Sequence, residues 1–161
     1  MNYPKRKPNR LPQYDYSQPN MYFITVCTHE HKKLFWQNVG ATIGRPPSVE
    51  LSEYGKVVQA AIEEIPQHYP AVRLEHCVVM PNHVHLLLQI IPGTDGRPMV
   101  VPTISTVVAQ FKGRVSKQIG KAIWQKSFHD RVVRNEAEYQ KIWEYIEYNP
   151  HYWTQDCFYI P

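Results

Sequence analysis

The sequence predicts an α+β domain in which helices pack on an antiparallel β-sheet. Four segments are rich in β-branched and aromatic residues and have the length of strands. Three others place apolar residues three and four positions apart, as amphipathic helices do. The segments follow one another as β, α, β, β, α, β, α, without an internal repeat or a linker. This order favours one α+β domain.

The composition is that of a folded protein without a membrane span. The chain has 161 residues, of which 43% are hydrophobic and 12% aromatic, enough for one sizeable core. No apolar run approaches the roughly 18 residues of a membrane helix, and the first residues lack the apolar centre of a signal peptide. The three cysteines, Cys27, Cys77 and Cys157, do not have metal-binding spacing. We therefore expect a cytoplasmic protein with buried thiols.

The net charge of +4 is concentrated at the N-terminus. The first ten positions hold no acid and four basic residues, namely Lys5, Arg6, Lys7 and Arg10. The other 14 basic residues balance the 14 acidic ones. We therefore divide the chain into a basic arm, residues 1–20, and a single domain, residues 21–161. With Tyr3, Tyr14 and Tyr16, the arm suits a phosphate backbone and unstacked bases, although a solubilising tail explains the same composition.

The predicted strands are separated by loops that contain glycine and proline. Strands are expected over residues 21–28, 72–80, 83–91 and 124–134. The second and third strands are joined only by Pro81-Asn82, which predicts a hairpin or a tight connection. Residues 29–50 and 92–98 are expected to form loops.

The three predicted helices begin at polar capping residues and end near residues that interrupt helices. The expected N-caps are Ser52, Thr103 or Ser105, and Asn135. The helices should end before Pro70, near Ile119 and, for the last one over 136–148, before Pro150. The outer face of the second helix carries Lys112, Arg114 and Lys117. Taken alone, these cations are better explained as an ordinary solvated face than as a groove for a polyanion, which is the alternative.

The strand over 83–91 begins with a possible pair of metal ligands, His83 and His85. Because strand side chains alternate between faces, both imidazoles project from the same face and could hold one cation. The alternative is two imidazoles that are satisfied by other hydrogen bonds. We favour metal ligation, because two polar groups have been placed at the edge of a well-packed apolar strand at a cost in stability. At least one further oxygen or nitrogen ligand is then needed.

The last helix carries a candidate nucleophile, Tyr145. Asn149 lies four residues later, so one helical turn places both side chains on the same face. A phenol titrates near pH ~10 and is a weak nucleophile at neutral pH. It can still attack a phosphodiester in line if a metal ion withdraws charge from the phosphate. Taken alone, Tyr145 is one of eleven tyrosines and is better explained as an aromatic side chain that only packs. The combination with His83 and His85 is what favours a nucleophile.

Taken together, these motifs make the chain resemble the single-tyrosine HUH transposases related to IS200, and among them the repeat-associated (REP-associated) tyrosine transposases. The resemblance rests on Met80-Pro81-Asn82-His83-Val84-His85-Leu86, on Trp124-Gln125 with Phe128, Asp130 and Arg134, and on Tyr145-Ile146 followed by Asn149-Pro150. The resemblance extends over residues 21–153, and these motifs follow one another in the order of the family. The resemblance implies the ferredoxin-like architecture of HUH endonucleases.

The resemblance also implies roles for individual residues. His83 and His85 would bind a divalent cation, and Tyr145 would be the nucleophile. Asn149 corresponds to a position where insertion-sequence enzymes of the IS200 type have glutamine as a further ligand. Asparagine is one methylene shorter, so His151 or a water molecule could complete the site instead.

The implied reaction is cleavage and strand transfer of single-stranded DNA. The metal ion, Mg²⁺ or Mn²⁺, would polarise the scissile phosphate while Tyr145 attacks. A 5′-phosphotyrosine link forms and a 3′-hydroxyl leaves, so the strand can be rejoined without ATP. With one tyrosine per chain, two DNA ends are most simply handled by a homodimer. Each active site could then combine the histidines of one subunit with the tyrosine helix of the other.

Two other functions fit the same residues. A non-catalytic protein that binds hairpin DNA would use the basic arm and the helix over 103–119. A metal-dependent phosphohydrolase would use the histidines and release free products. A trapped covalent protein–DNA adduct distinguishes the transposase from both.

Overall fold

The computed structural model describes residues 20–37, 49–91 and 101–161. The strands within these residues are β1 (Met21–Cys27), β2 (Val72–Val79), β3 (His83–Ile90) and β4 (His129–Val133). The α-helices are α1 (Glu53–Glu63), α2 (Ile65–His68), α3 (Ile104–Ile119) and α4 (Glu136–Tyr148). Short 3₁₀ turns lie at His29–His31 and Asn149–Gln155. The basic arm and the predicted loop over 92–98 lie outside the described residues.

The four strands form one antiparallel sheet in the order β2-β3-β1-β4. The predicted α+β fold, an antiparallel sheet with helices packed on it, is therefore confirmed. Strand β3 lies inside the sheet and pairs with β1 on one side and β2 on the other. Its interior position explains why almost all of its side chains are buried.

Helices cover both faces of this sheet. Val84, Leu86 and Leu88 of β3 belong to the larger core, which also contains the apolar residues of α1 and α3. Leu87 points to the opposite face and packs with Ile142 and Ile146 of α4. Because the side chains of a strand alternate, His83 and His85 share the face of Leu87. The two imidazoles therefore lie on the side of the sheet that α4 covers.

The predicted helix caps are present. The Ser52 and Thr103 hydroxyls accept hydrogen bonds from the backbone N–H groups three residues later, and the Asn135 side chain does the same. Thr103, and not Ser105, is therefore the cap of α3. The first predicted helix is interrupted at Glu64, after which α2 begins with a proline in its first turn.

The fourth strand is shorter than the predicted segment 124–134. Only His129–Val133 pairs continuously with β1, while Trp124 makes a single bridge to Thr28. Between these two points, the Lys112 ammonium group donates to the backbone carbonyls of residues 125–127 at 2.6–3.4 Å. These carbonyls face a side chain from α3 and not a neighbouring strand, which accounts for the gap in strand pairing.

The expectation of three buried thiols is wrong for two of them. Cys27 is buried, Cys77 is half-buried and Cys157 is exposed. Cys157 lies two residues after the end of the last 3₁₀ turn. None of the helices in the described ranges is long and apolar enough to cross a membrane.

Candidate metal and nucleophile site

The two histidines of β3 form a buried pair. His83 is 0% exposed and His85 is 1% exposed. Their Nε2 atoms lie 3.1 Å apart, so both rings turn the same atom toward a common point. The predicted projection of both imidazoles from one strand face is therefore present in the structure.

Hydrogen bonds at the other ring nitrogens hold this orientation. The Asn82 amide group donates to the carbonyls of Phe158 at 2.8 Å and His31 at 3.2 Å. Its oxygen is therefore left to accept from Nδ1 of His83, at 2.8 Å. Nδ1 of His85 makes a 2.8 Å hydrogen bond with the Thr25 hydroxyl. His83 must then carry its proton on Nδ1, which leaves the Nε2 lone pair directed into the site.

Both imidazoles are neutral near pH 7. Burial and, to a smaller extent, the neighbouring His31 together lower the pKa of His83 to about 3. Burial also lowers the pKa of His85 well below its ordinary value, as does His83, while Asp156 opposes the shift. Neutral imidazole is the form that binds metal ions.

A carboxylate, Asp156, completes a group of three possible ligands. Its side chain is fully buried, and Oδ2 lies 3.8 Å from Nε2 of His83. The ligand atoms of His83, His85 and Asp156 all lie within 4.8 Å of one another. In the described part of the chain, this is the group of three or more His, Cys, Asp or Glu side chains that could hold a metal ion. Two imidazoles and a carboxylate suit Mn²⁺ better than a purely oxygen-based site would.

Asp156 reaches this position through the 3₁₀ turn that follows α4. The predicted stop at Pro150 is only partly right, because α4 ends at Tyr148 but the chain continues helically as Asn149–Gln155. Pro150 is tolerated in the first turn, where its missing N–H group is not needed. The turn leads the chain back beneath β3, and the N–H group of Phe158 then donates to Oδ1 of Asp156 at 2.7 Å.

Asn149 lies beside the carboxylate. It is 4% exposed, and its amide group donates to Oδ2 of Asp156 at 2.9 Å. Its carbonyl oxygen Oδ1 is buried and has no hydrogen-bond partner among the described residues. A buried, unpaired oxygen on a residue that contacts Asp156, whose carboxylate lies near the bare Nε2 lone pair of His83, fits a bound divalent cation. The observed side chains are therefore compatible with the expected metal ion.

Tyr145 lies one helical turn before Asn149 and reaches the same carboxylate. Its hydroxyl donates to Oδ2 of Asp156 over 3.4 Å. Its ring contacts Phe23 edge-on and His85 at a centroid distance of 5.2 Å. Although Tyr145 remains 41% exposed, partial burial raises the pKa of its phenol, and Asp156 raises it further. The phenol is therefore protonated in the metal-free protein.

Asp156 is the site residue that the sequence analysis missed. It belongs to no motif with ligand spacing, and the alternatives considered were His151 and water. His151 is exposed, and its ring lies near Tyr148. One signal was available, since Asp156 is the only acidic residue after Glu147. Its position beneath β3 depends on the path of the chain after α4, which no local pattern indicates.

The three basic residues predicted on the outer face of α3 lie in different environments in the structure. The Lys112 ammonium group is held by backbone carbonyls, as described above, and burial lowers its pKa. Arg114 is half-buried, and its Nε and Nη2 atoms have no hydrogen-bond partner among the described residues. Lys117 is exposed. The four basic residues of the arm lie outside the described ranges.

The comparisons with known proteins agree with this fold. The sequence profile of the family described as "Transposase IS200 like" matches residues 21–149. A protein of unknown function from Haemophilus influenzae is 32% identical, over 96% of this chain and 93% of its own length. A second protein from that organism, provisionally named a REP-associated tyrosine transposase, is 22% identical over 84% of this chain and 73% of its length.

Among solved structures, a REP-associated tyrosine transposase bound to a REP hairpin has the same fold. It is 21% identical, with a TM-score of 0.59, over 88% of this chain and 72% of that one. The profile match covers more than half of the sequence, including both histidines and the tyrosine. The chain therefore belongs to the IS200-like transposase family.

Proposed function

We propose that this chain cleaves single-stranded DNA and transfers the cut strand through a 5′-phosphotyrosine formed by Tyr145. This proposal rests on one observation, namely that the candidate nucleophile and a candidate metal ligand lie close to the same carboxylate. The Tyr145 hydroxyl and Nε2 of His83 both lie within 4 Å of Oδ2 of Asp156. A nucleophile beside a metal-binding group is the arrangement that attack on a phosphodiester needs.

The proposed metal ligands are Nε2 of His83, Nε2 of His85 and the carboxylate of Asp156. Asn149 can supply its unpaired Oδ1 as a further ligand, or it can act only by holding Asp156 through its amide group. When bound, Mg²⁺ or Mn²⁺ would withdraw charge from the scissile phosphate and orient it. Asn82 and Thr25 keep the two imidazoles in the ligating orientation.

The covalent step is a transesterification. A bond forms between the Tyr145 oxygen and phosphorus, and the bond between phosphorus and the 3′-oxygen breaks. Oδ2 of Asp156 is positioned to accept the phenol proton, and the leaving 3′-oxygen gains a proton to become a hydroxyl. Attack by a 3′-hydroxyl on the phosphotyrosine reverses these changes and joins two strands, so no external energy source is required.

We propose that the substrate is hairpin-forming single-stranded DNA and that the active protein is a homodimer. The relative in the solved complex binds a REP hairpin, which supports the choice of substrate. In this proposal residues 21–161 form the catalytic domain. Lys117 and Arg114 contact phosphates together with the arm, residues 1–20. A dimer would provide two tyrosines for two DNA ends.

The test is incubation of the full chain with single-stranded hairpin DNA from its own genomic flanks, labelled at the 3′ end because the fragment downstream of the cut is the one that becomes linked to Tyr145. We expect a protein band carrying the label on a denaturing gel in Mn²⁺, and no such band in EDTA. Binding without a labelled band would favour a non-catalytic hairpin-binding protein. Cut DNA with no protein-linked label would favour a phosphohydrolase.

A further inference from the structure

A groove runs along α4 beside Tyr145. Its volume is about 270 Å³, and it is lined by Lys141, Glu144, Tyr145, Tyr148, Asn149 and Tyr152. Tyr145 and Asn149 also belong to the candidate metal and nucleophile site. The groove is therefore continuous with the place where the phosphodiester would be cut.

Exposed tyrosines form one stripe of this groove. Tyr145, Tyr148 and Tyr152 follow one another at spacings of three and four, which normally mark the buried stripe of a helix. In α4, however, the tyrosines do not face the sheet. The residues that do are in the neighbouring stripe, which contains Ile142, Ile146 and Asn149.

Tyr148 is 55% exposed and Tyr152 is 57% exposed. In the described part of the chain, the exposed large apolar or aromatic side chains are Val49, Tyr145, Tyr148, Tyr152 and Ile160. Three of these five therefore line a single groove. Exposed rings that project beside a nucleophile can stack on unpaired nucleobases, which all have a flat π-face.

The charges of the groove indicate where a phosphate would lie. Lys141 is exposed and lies one turn before Tyr145. It lines this groove and also a second cavity of about 410 Å³, which lies between α4 and strands β1 and β4 and contains Phe23 and Arg131. Glu144 is the acidic residue of the groove. A backbone phosphate is therefore favoured near Lys141, with the attached base directed along the tyrosines.

We propose that Tyr148 and Tyr152, with Lys141, bind a nucleotide adjacent to the scissile phosphate of single-stranded DNA. The base stacks on the tyrosine rings, and its phosphate pairs with the lysine. This proposal rests on the proposed cleavage of single-stranded DNA, because it takes Tyr145 as the point of attack. It adds a stacking site that holds the strand in line with that residue.

The test compares alanine and phenylalanine variants of the full chain. The Tyr148→Ala/Tyr152→Ala variant loses both rings, whereas the Tyr148→Phe/Tyr152→Phe variant keeps them. Both are made in a Tyr145→Phe background so that binding is measured without turnover. Stacking of one base predicts affinity that is roughly 5- to 150-fold weaker for the alanine variant. The phenylalanine variant should bind as the Tyr145→Phe parent does.

An abasic scan identifies the stacked nucleotide. Each nucleotide within three positions of the cut is replaced in turn by an abasic residue. At one position the replacement should weaken binding by the parent, yet leave binding by the alanine variant unchanged. Lys141→Gln should reduce the salt dependence of binding, and Lys126→Gln, at an exposed position outside the groove, is the matched control.

The outcomes separate this proposal from the proposed function. If the wild type forms the covalent adduct but the alanine variant binds as tightly as its parent, the stacking site is wrong and the cleavage reaction stands. If the alanine variant binds DNA more weakly and the abasic effect appears at one position, but no adduct forms in Mn²⁺, the nucleotide-binding proposal is supported and the catalytic proposal fails. A change of oligomeric state in the alanine variant, seen by sedimentation without weaker DNA binding, would instead make this face a subunit interface and overturn the proposal.

Discussion

Nε2 of His83 and Nε2 of His85 lie 3.1 Å apart in a buried site. Because Asn82 holds the proton of His83 on Nδ1, the Nε2 atom of His83 presents a lone pair to its neighbour. Two arrangements avoid repulsion between the lone pairs of these two nitrogen atoms. Either Nε2 of His85 carries a proton, or a cation binds both atoms. The nearby carboxylate of Asp156 and the unpaired oxygen of Asn149 favour the cation.

The first prediction is that His83→Ala/His85→Ala removes most of the affinity for Mn²⁺. Two-point chelation is lost, whereas β3 keeps its apolar contacts through the residues that face the larger core. Isothermal titration calorimetry measures the change. His68→Ala, at a partly exposed position on α2, is the control and should bind like the wild type. Unchanged Mn²⁺ binding in the double variant would show that the ion lies elsewhere.

The second prediction separates the roles of Asp156 and Asn149. Asp156→Asn removes a negative charge from the site and should weaken Mn²⁺ binding more than Asn149→Ala does. If Asn149 acts only by holding Asp156, its replacement should cost roughly 10- to 100-fold in affinity, as for other groups that orient ligands. The same calorimetric titrations give both values. The reverse order would assign the third ligand to Asn149.

The third prediction is that Tyr145→Phe abolishes the covalent adduct. Phenylalanine keeps the ring contacts with Phe23 and His85 but lacks the oxygen that attacks phosphorus. DNA binding and thermal stability should remain close to those of the wild type, and labelled protein on a denaturing gel reports the adduct. Tyr139→Phe on the same helix is the control. Loss of the band in Tyr148→Phe, but not in Tyr145→Phe, would move the nucleophile by one turn.

The fourth prediction concerns the stability of the metal-free protein in EDTA. The pKa of His83 falls from 6.5 to about 3 on folding. Below pH 6.5 the unfolded chain therefore binds a proton that the folded chain does not, and the unfolding free energy decreases as the pH falls toward 3. Each such histidine contributes a slope of at most about 1.4 kcal/mol per pH unit.

Urea unfolding between about pH 4 and 6.5 measures this slope. His83→Gln keeps a polar side chain but cannot titrate, so its stability should depend less steeply on pH than that of the wild type. Because folding lowers the pKa of His83, its contribution to the unfolding free energy is present above pH 6.5 and is lost as the pH falls. Parallel curves for the two proteins would mean that His83 is not protected from protonation in the folded state.

The fifth prediction concerns salt. Removal of one cation that pairs with a DNA phosphate should reduce the magnitude of the slope of log affinity against log salt by about one. Deletion of residues 1–10, with their four cations, should therefore flatten the slope, and Lys117→Gln should flatten it by about one. Lys112→Gln should have a smaller effect on the slope and a larger one on stability, because its ammonium group is held by the carbonyls of residues 125–127. An unaltered slope after the deletion would make the arm a solubilising tail.

The features that depend on local periodicity could be predicted from the amino-acid sequence. The alternation of β3 placed His83 and His85 on one face of the strand, and the helical period placed Asn149 one turn after Tyr145. The helix caps followed from the preference of short polar side chains for unpaired N–H groups. These features need only the geometry of one strand or one helix, so neighbouring residues are sufficient to predict them.

Which of these elements contact one another depends on the packing of the whole domain. Asp156 joins the histidines because the chain continues helically through Pro150 and then turns beneath β3, over a separation of about 70 residues in sequence. Lys112 faces the carbonyls before β4 and not solvent, because α3 packs beside that segment. Contacts between residues far apart in the chain depend on how whole elements pack, and the spacing within any one element does not contain that information.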